Sequence, residues 1–113
     1  LLMVLHQQCS VPLSLLAVEK RLKVLNQNRR FDIAVFSRLG RPVLLAECKA
    51  PHIALNQDVM DQAGRYNLSL HVPWLCVTNG NTHYICKREE NSWIFKNTFP
   101  SFDELCVGGL DYD

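Results

Sequence analysis

Asp32, Glu47 and Lys49 are two carboxylates and an amine, with Asp32 fifteen residues before Glu47 and Lys49 two after it. A hairpin centred on Leu39-Gly40 pairs residues whose numbers sum to 79: Arg38 with Arg41, Phe36 with Val43, Ala34 with Leu45, and Asp32 with Glu47. Strand side chains alternate, so Asp32, Glu47 and Lys49 share one face, and Ile33, Val35, Leu44, Ala46 and Cys48 share the other. Directly opposed residues have Cβ atoms about 5 Å apart. Two carboxylates at that separation repel by about 3 kcal/mol at an effective dielectric near 20. A divalent cation between them reverses the sign, and hard oxygen ligands suit magnesium. Lys49 would steady a hydroxide or a developing phosphorane charge. Further on, Gln62 and Tyr66 stand at i, i+4, on one helical face, and both can hydrogen-bond a phosphate or a carboxylate. Taken singly, each feature also reads as an ordinary surface salt-bridge ladder or an exposed amide. Their conjunction on apolar strands favours a site, because a surface ladder needs no such strand beneath it.

The elements that must position these residues follow from pattern. Leu15 to Leu22 reads as a short strand. Phe31–Phe36 and Val43–Lys49 are β-rich runs joined by the Gly- and Pro-containing turn 37–42. Ala50-Pro51 breaks the second run. Asn56 caps a helix expected to reach about Leu70, with Asp58 and Asp61 in its early turns and Val59, Ala63 and Leu70 near one stripe. His71-Val72-Pro73 ends it. Trp74–Thr78 is continuously apolar, as in a strand buried on both faces. Asn79-Gly80 signals a tight turn, Thr82–Lys87 pairs back, and Trp93–Phe95 adds a strand. An intervening helix makes Val43–Lys49 and Trp74–Thr78 parallel neighbours in one mixed sheet.

Composition sets the bounds. The chain has 113 residues, 48% hydrophobic and 20% charged, which suits a single globular domain and excludes disorder, collagen and coiled coil. No apolar run approaches the ~20 residues of a membrane helix. Cys9, Cys48, Cys76, Cys86 and Cys106 are scattered without a C-x-x-C pair, so they read as small core residues in a reducing, cytoplasmic compartment rather than as zinc ligands. His52, His71 and His83 lack ligand-spaced partners. Residues 1–49 carry eight Lys/Arg against three acids, and residues 50–113 carry four against eight. The basic half is compatible with phosphate contact. No P-loop and no G-x-G-x-x-G occurs, so nothing within the chain supports an ATP or dinucleotide site.

Asp32, then Glu47-Cys48-Lys49 on a hairpin, then Gln62-x-x-x-Tyr66 on the next helix resemble the PD-(D/E)xK nuclease superfamily. Longer strings are closer still: Arg30-Phe31-Asp32-Ile33-Ala34-Val35, the run Pro42 to Pro51, Asp61-Gln62-Ala63-Gly64-Arg65-Tyr66-Asn67, and Val77-Thr78-Asn79-Gly80. They resemble the N-terminal nuclease domain of type I restriction enzyme R subunits, over roughly Val11 to Pro100. The resemblance implies an α/β, restriction-endonuclease-like mixed β-sheet flanked by helices, and magnesium-dependent hydrolysis of phosphodiesters in double-stranded DNA. On it, Asp32, Glu47 and the backbone carbonyl of Cys48 hold Mg2+, Lys49 orients the attacking water, and Gln62 and Tyr66 support the site or touch the DNA backbone. Motor and specificity subunits or domains of a restriction complex are the implied further partners.

The chain departs from that pattern in two ways. The acid expected on a helix before the first core strand is missing from Leu1–Gln8, and Glu19 is a poor substitute, so residues 1–113 are expected to be one nuclease-like domain lacking an upstream helix. The resemblance pairs such a domain with an ATP-driven motor that residues 1–113 do not contain, so the chain is expected to be an isolated nuclease-like domain, a fragment, or a small stand-alone relative. The alternatives are a catalytically inactive, nuclease-derived DNA-binding or subunit-interaction module, and a plain α/β domain in which Glu47 and Lys49 form only a salt bridge.

Overall fold

The computed structural model describes residues 1, 3–24, 27–68 and 71–107, with 19–24, 27–30 and 66 described in backbone only. After a helical turn at Val4–Gln8 and a shorter one at Leu13–Leu15 come β1 (Leu16–Val24), β2 (Gln27–Phe36), β3 (Pro42–Cys48), α1 (Gln57–Asn67), β4 (Trp74–Thr78), β5 (His83–Glu89), β6 (Ser92–Lys96) and α2 (Phe102–Cys106). The six strands form one mixed sheet in sequential order. Only β3 and β4 run parallel among the described strands, and the others pair antiparallel. The fold is thus α/β, with two antiparallel meanders fused through one β3–α1–β4 crossover.

Helices cover both faces. On one, Met60 and Ala63 of α1 pack on Leu75, Val77 and Cys86. On the other, Leu5, Cys9, Phe102 and Leu105 pack on Ile33, Val35, Leu44, Ala46 and Trp74. Burial on both faces explains why Trp74–Val77 is uninterruptedly apolar: every residue of β4, the polar Thr78 included, is buried. Asn56 caps α1, its side chain accepting from the Val59 N–H at 3.0 Å. No helix among the described residues is long and apolar enough to cross a membrane.

Several expectations are corrected in detail. The β2–β3 ladder keeps the sum of 79 at Ile33–Ala46, Ala34–Leu45 and Val35–Leu44, but Phe36 pairs with Pro42 rather than Val43. Val43 is the extra residue of a bulge, and it joins Leu44 in the same core cluster. Arg38 and Arg41 therefore do not pair, and the turn is closed by the Ser37 N–H donating to the Arg41 carbonyl. The irregularity lies at the turn, so the register toward Asp32 and Glu47 is untouched. Cys48 is exposed at the strand end rather than buried with Ala46, whereas Cys9, Cys76 and Cys86 are buried. Helix α1 ends at Asn67, and Leu70 lies outside the described residues. At Asn79-Gly80 the loop is one of four residues. The Asn79 N–H reaches the Thr82 carbonyl, and Asn79 Oδ1 accepts from the N–H groups of Asn81 and Thr82. Gly80 takes φ +91°, which its lack of a side chain permits. Helix α2 was not expected. It starts at a capping box in which Ser101 and Glu104 each bond the other's backbone N–H.

Candidate functional site

The crossover leaves an open cleft of about 340 Å³ lined by Asp32, Glu47, Cys48, Lys49, Val59, Gln62 and Ala63. Asp32 comes from β2, Glu47 and Cys48 from the end of β3, Lys49 from just beyond it, and the rest from α1. Glu47 is in register with Val77, and Leu45 with Leu75, so Glu47 continues the face on which α1 rests. The alternation of β3 sends Leu45 into the core and lets Glu47, near the end of the strand, open into the cleft.

Each carboxylate is held by one oxygen. Asp32 Oδ2 accepts the Cys48 N–H at 2.7 Å. This bond takes the place of a direct Asp32–Glu47 ladder pair, since the β2–β3 ladder stops at Ile33–Ala46. Glu47 Oε1 accepts from Asn67 Nδ2 at 2.7 Å. Its other oxygen, Oε2, lies 3.9 Å from Lys49 Nζ, with the Glu47 side chain 19% and that of Lys49 39% exposed. Such a long ion pair, with Lys49 exposed and Glu47 half-buried, contributes at most about 1 kcal/mol. Among the described residues no donor reaches Asp32 Oδ1. One oxygen of each acid is therefore turned to solvent or to Lys49 while the other is anchored. Desolvation, and then the Asp32 charge, raise the pKa of the Cys48 thiol.

Asp32, Glu47, Cys48, Lys49 and Gln62 thus meet in one place. Tyr66 stands on α1, and its side chain lies outside the described residues, as do those of Glu19, Lys20, Arg21, Lys23, Arg29 and Arg30 on the β1–β2 hairpin. Among the described residues no group of three or more His, Cys, Asp or Glu side chains gathers as a ligand set, so the cleft holds two carboxylates. Sequence reading missed Asn67. The available signal was a polar residue four positions after Ala63, on the buried stripe of the helix.

No histidine lines the cleft. His52 and His71 are exposed. His83 Nδ1 is 2.5 Å from the buried Thr78 Oγ1, and burial lowers its pKa. A larger cleft of about 530 Å³, lined by Trp74, Lys87, Lys96 and α2 residues, contains none of the expected site residues.

The family model described as Type I restriction enzyme R protein N terminus matches residues 1–100. Among solved structures the chain is similar to one from a cryo-electron microscopy structure of a DrdV–DNA complex, with a TM-score of 0.50 and 12% identity. That match covers 80% of this chain and 9% of the other, and at such identity it is a likeness of fold. No curated protein matches.

Proposed function

The chain belongs to the family of type I restriction enzyme R protein N termini, and on that footing we propose that it is a magnesium-dependent endonuclease domain of the PD-(D/E)xK kind, hydrolysing DNA phosphodiesters. The observation that carries this is the convergence of Asp32, Glu47, Lys49 and Gln62 on one solvent-open cleft. Two like charges there gain nothing for the fold, which is the usual mark of a site kept for a ligand.

The donor set fits magnesium, which keeps several of its waters and is commonly bound by one or two carboxylates together with substrate phosphate. Asp32 through Oδ1, Glu47 through Oε2 and the carbonyl of Cys48 would hold it. Bound there, the ion would lower the pKa of a water and offset charge on the scissile phosphate. Lys49, beside Glu47 Oε2, orients the attacking water and meets charge developing on the phosphate. Gln62, on the helical wall of the cleft, hydrogen-bonds the DNA backbone or steadies the acids, and Tyr66 one turn later is given the same task. The fold's neighbour was solved on DNA, which makes duplex DNA the first substrate to try. Motor and specificity subunits of a restriction complex are the further partners proposed, and five free cysteines suit a reducing cytoplasm.

Supercoiled plasmid incubated with the chain and Mg2+ should be nicked, and Asp32→Ala, Glu47→Ala and Lys49→Ala should each abolish nicking without loss of the folded circular-dichroism spectrum. Equal cleavage by all three variants discards the assignment. The presence of only two carboxylates in the described cleft favours a second reading, an inactive module that binds DNA or a partner subunit. Calorimetry separates the two: Mg2+ heat that disappears in Glu47→Ala supports the nuclease, and no heat in the unaltered chain supports the module.

A further inference from the structure

We infer that Asn67 is a positioning residue for Glu47, an amide that holds one carboxylate oxygen so that the other is presented to a cation. The inference rests on reading Glu47 as a cation ligand, and it assigns a role to a side chain outside the cleft lining.

Asn67 ends α1 and is 2% exposed. Its Nδ2 donates to Glu47 Oε1 at 2.7 Å and to the Ala63 carbonyl at 2.8 Å. Both partners are acceptors only, so the amide's orientation is fixed by chemistry: reversing it would set oxygen against oxygen. That orientation leaves Asn67 Oδ1 buried with no partner among the described residues. An orphaned buried acceptor is a net burden on a fold. Asn67 also continues the apolar stripe of Met60 and Ala63, where leucine would satisfy packing without an orphan. The amide therefore carries a local penalty that leucine would not, and what it supplies in return is the orientation of Glu47.

The geometry makes that gain specific. With Oε1 bound from behind, Glu47 cannot swing both oxygens onto Lys49, and the 3.9 Å separation of Oε2 from Nζ keeps that pair loose. Asp32 is treated the same way, one oxygen held by the Cys48 N–H. A backbone donor fixes the first acid and a side-chain donor fixes the second. Donors behind metal-binding carboxylates set orientation, and their loss typically lowers metal affinity 10–100-fold.

The test uses Mn2+ as probe, read as free and bound ion by electron paramagnetic resonance on the full chain, with thermal unfolding alongside. Asn67→Leu should weaken Mn2+ binding about 10–100-fold, broaden the bound-ion signal, and leave the melting temperature equal or higher. Asn67→Ala, which fits whatever the space, should show the same affinity loss. Leu105→Ala, a core truncation on the opposite face of the sheet, should lower the melting temperature and leave Mn2+ affinity unchanged. Unaltered affinity in both Asn67 variants, with uptake lost in Glu47→Ala, overturns this inference and leaves the metal site standing. An affinity loss in Leu105→Ala equal to that in the Asn67 variants also overturns it, because the effect would then be general softening. A native chain that takes up no Mn2+ sinks the metal reading of Glu47 and this inference with it.

Discussion

Helix α1 carries Gln62 and Asn67, and its seat on the sheet depends on one close approach. A Cβ built on Gly64 would stand 2.9 Å from Trp93 Cδ1 and 3.4 Å from Trp93 Nε1. The indole cannot withdraw freely, because Nε1 donates to the Gly64 carbonyl at 2.9 Å and Trp93 is paired with Arg88 in the β5–β6 ladder. For Gly64→Ala, three effects compete. Alanine gains about 1 kcal/mol of helix propensity. Overpacking against the ring costs about 1–3 kcal/mol, and displacing the indole forfeits a hydrogen bond of about 1 kcal/mol. The balance is a destabilisation of about 1–3 kcal/mol, or a melting temperature about 4–12 °C lower for a domain of this size. In a Trp93→Ala background the clash and the bond are gone, and only propensity remains. There the same substitution should stabilise by about 1 kcal/mol, giving a coupling of about 2–4 kcal/mol. Urea unfolding of the four proteins measures it directly. Equal effects of Gly64→Ala in the two backgrounds would refute the packing argument, as would stabilisation in the native background.

Two further outcomes follow from single residues. The Asn79 side chain makes three hydrogen bonds, accepting from the N–H groups of Asn81 and Thr82 and donating from Nδ2 to the Ile53 carbonyl at 2.9 Å. Asn79→Ala should therefore lower stability by about 2–3 kcal/mol, read by urea unfolding, and an effect below 0.5 kcal/mol would show that these bonds are replaced by water. Burial pushes the Cys76 thiol up to about 12 and the Cys86 thiol to about 11 from 9.0. Because the native thiols resist ionisation, their contribution is complete below pH 9 and is lost as the pH climbs from 9 toward 11–12. Unfolding midpoints should fall over that range, less steeply in Cys86→Ala, and neither thiol should react with a disulfide reagent at pH 8 unless the chain is unfolded.

The strands and the shared face of Asp32, Glu47 and Lys49 were legible because they depend on a two-residue period that core burial enforces. The parallel placement of β3 and β4 was legible because a helix had to lie between them. What escaped notice depended on other physics. The bulge at Val43 preserves an apolar residue on an apolar face, so its sequence looks regular. Helix α2 is five residues long, too short for a helical period, and only its Ser101–Glu104 pair marked it. Asn67 was hidden because a lone amide near a helix end reads as a polar terminus, and its burial is decided by Glu47, twenty residues away. The strong basic signal of the first half falls largely on the β1–β2 hairpin, whose side chains from 19 to 30 are outside the described residues.

The position of the cleft follows from topology more than from any one residue. In an open sheet, ligands gather beyond the carboxyl ends of parallel strands, where a crossover helix leaves the edge uncovered. This sheet has one parallel pair among its described strands, so it offers one such place. The ends of β3 and β4 are tied there by the Lys49 N–H donating to the Thr78 carbonyl at 2.7 Å. Beyond that bond the ladder stops, so Glu47 and Cys48 are its last paired residues on β3 and Lys49 follows them out of the strand, with Asp32 brought alongside by the antiparallel partner. The crossover helix must return antiparallel to β3, which carries Gln62 and Asn67 back along the acids. A family that varies its loops while keeping this single crossover would keep the two acids, the amine and the helical amides together, because moving any one of them requires moving the strand pair that holds the sheet in one piece.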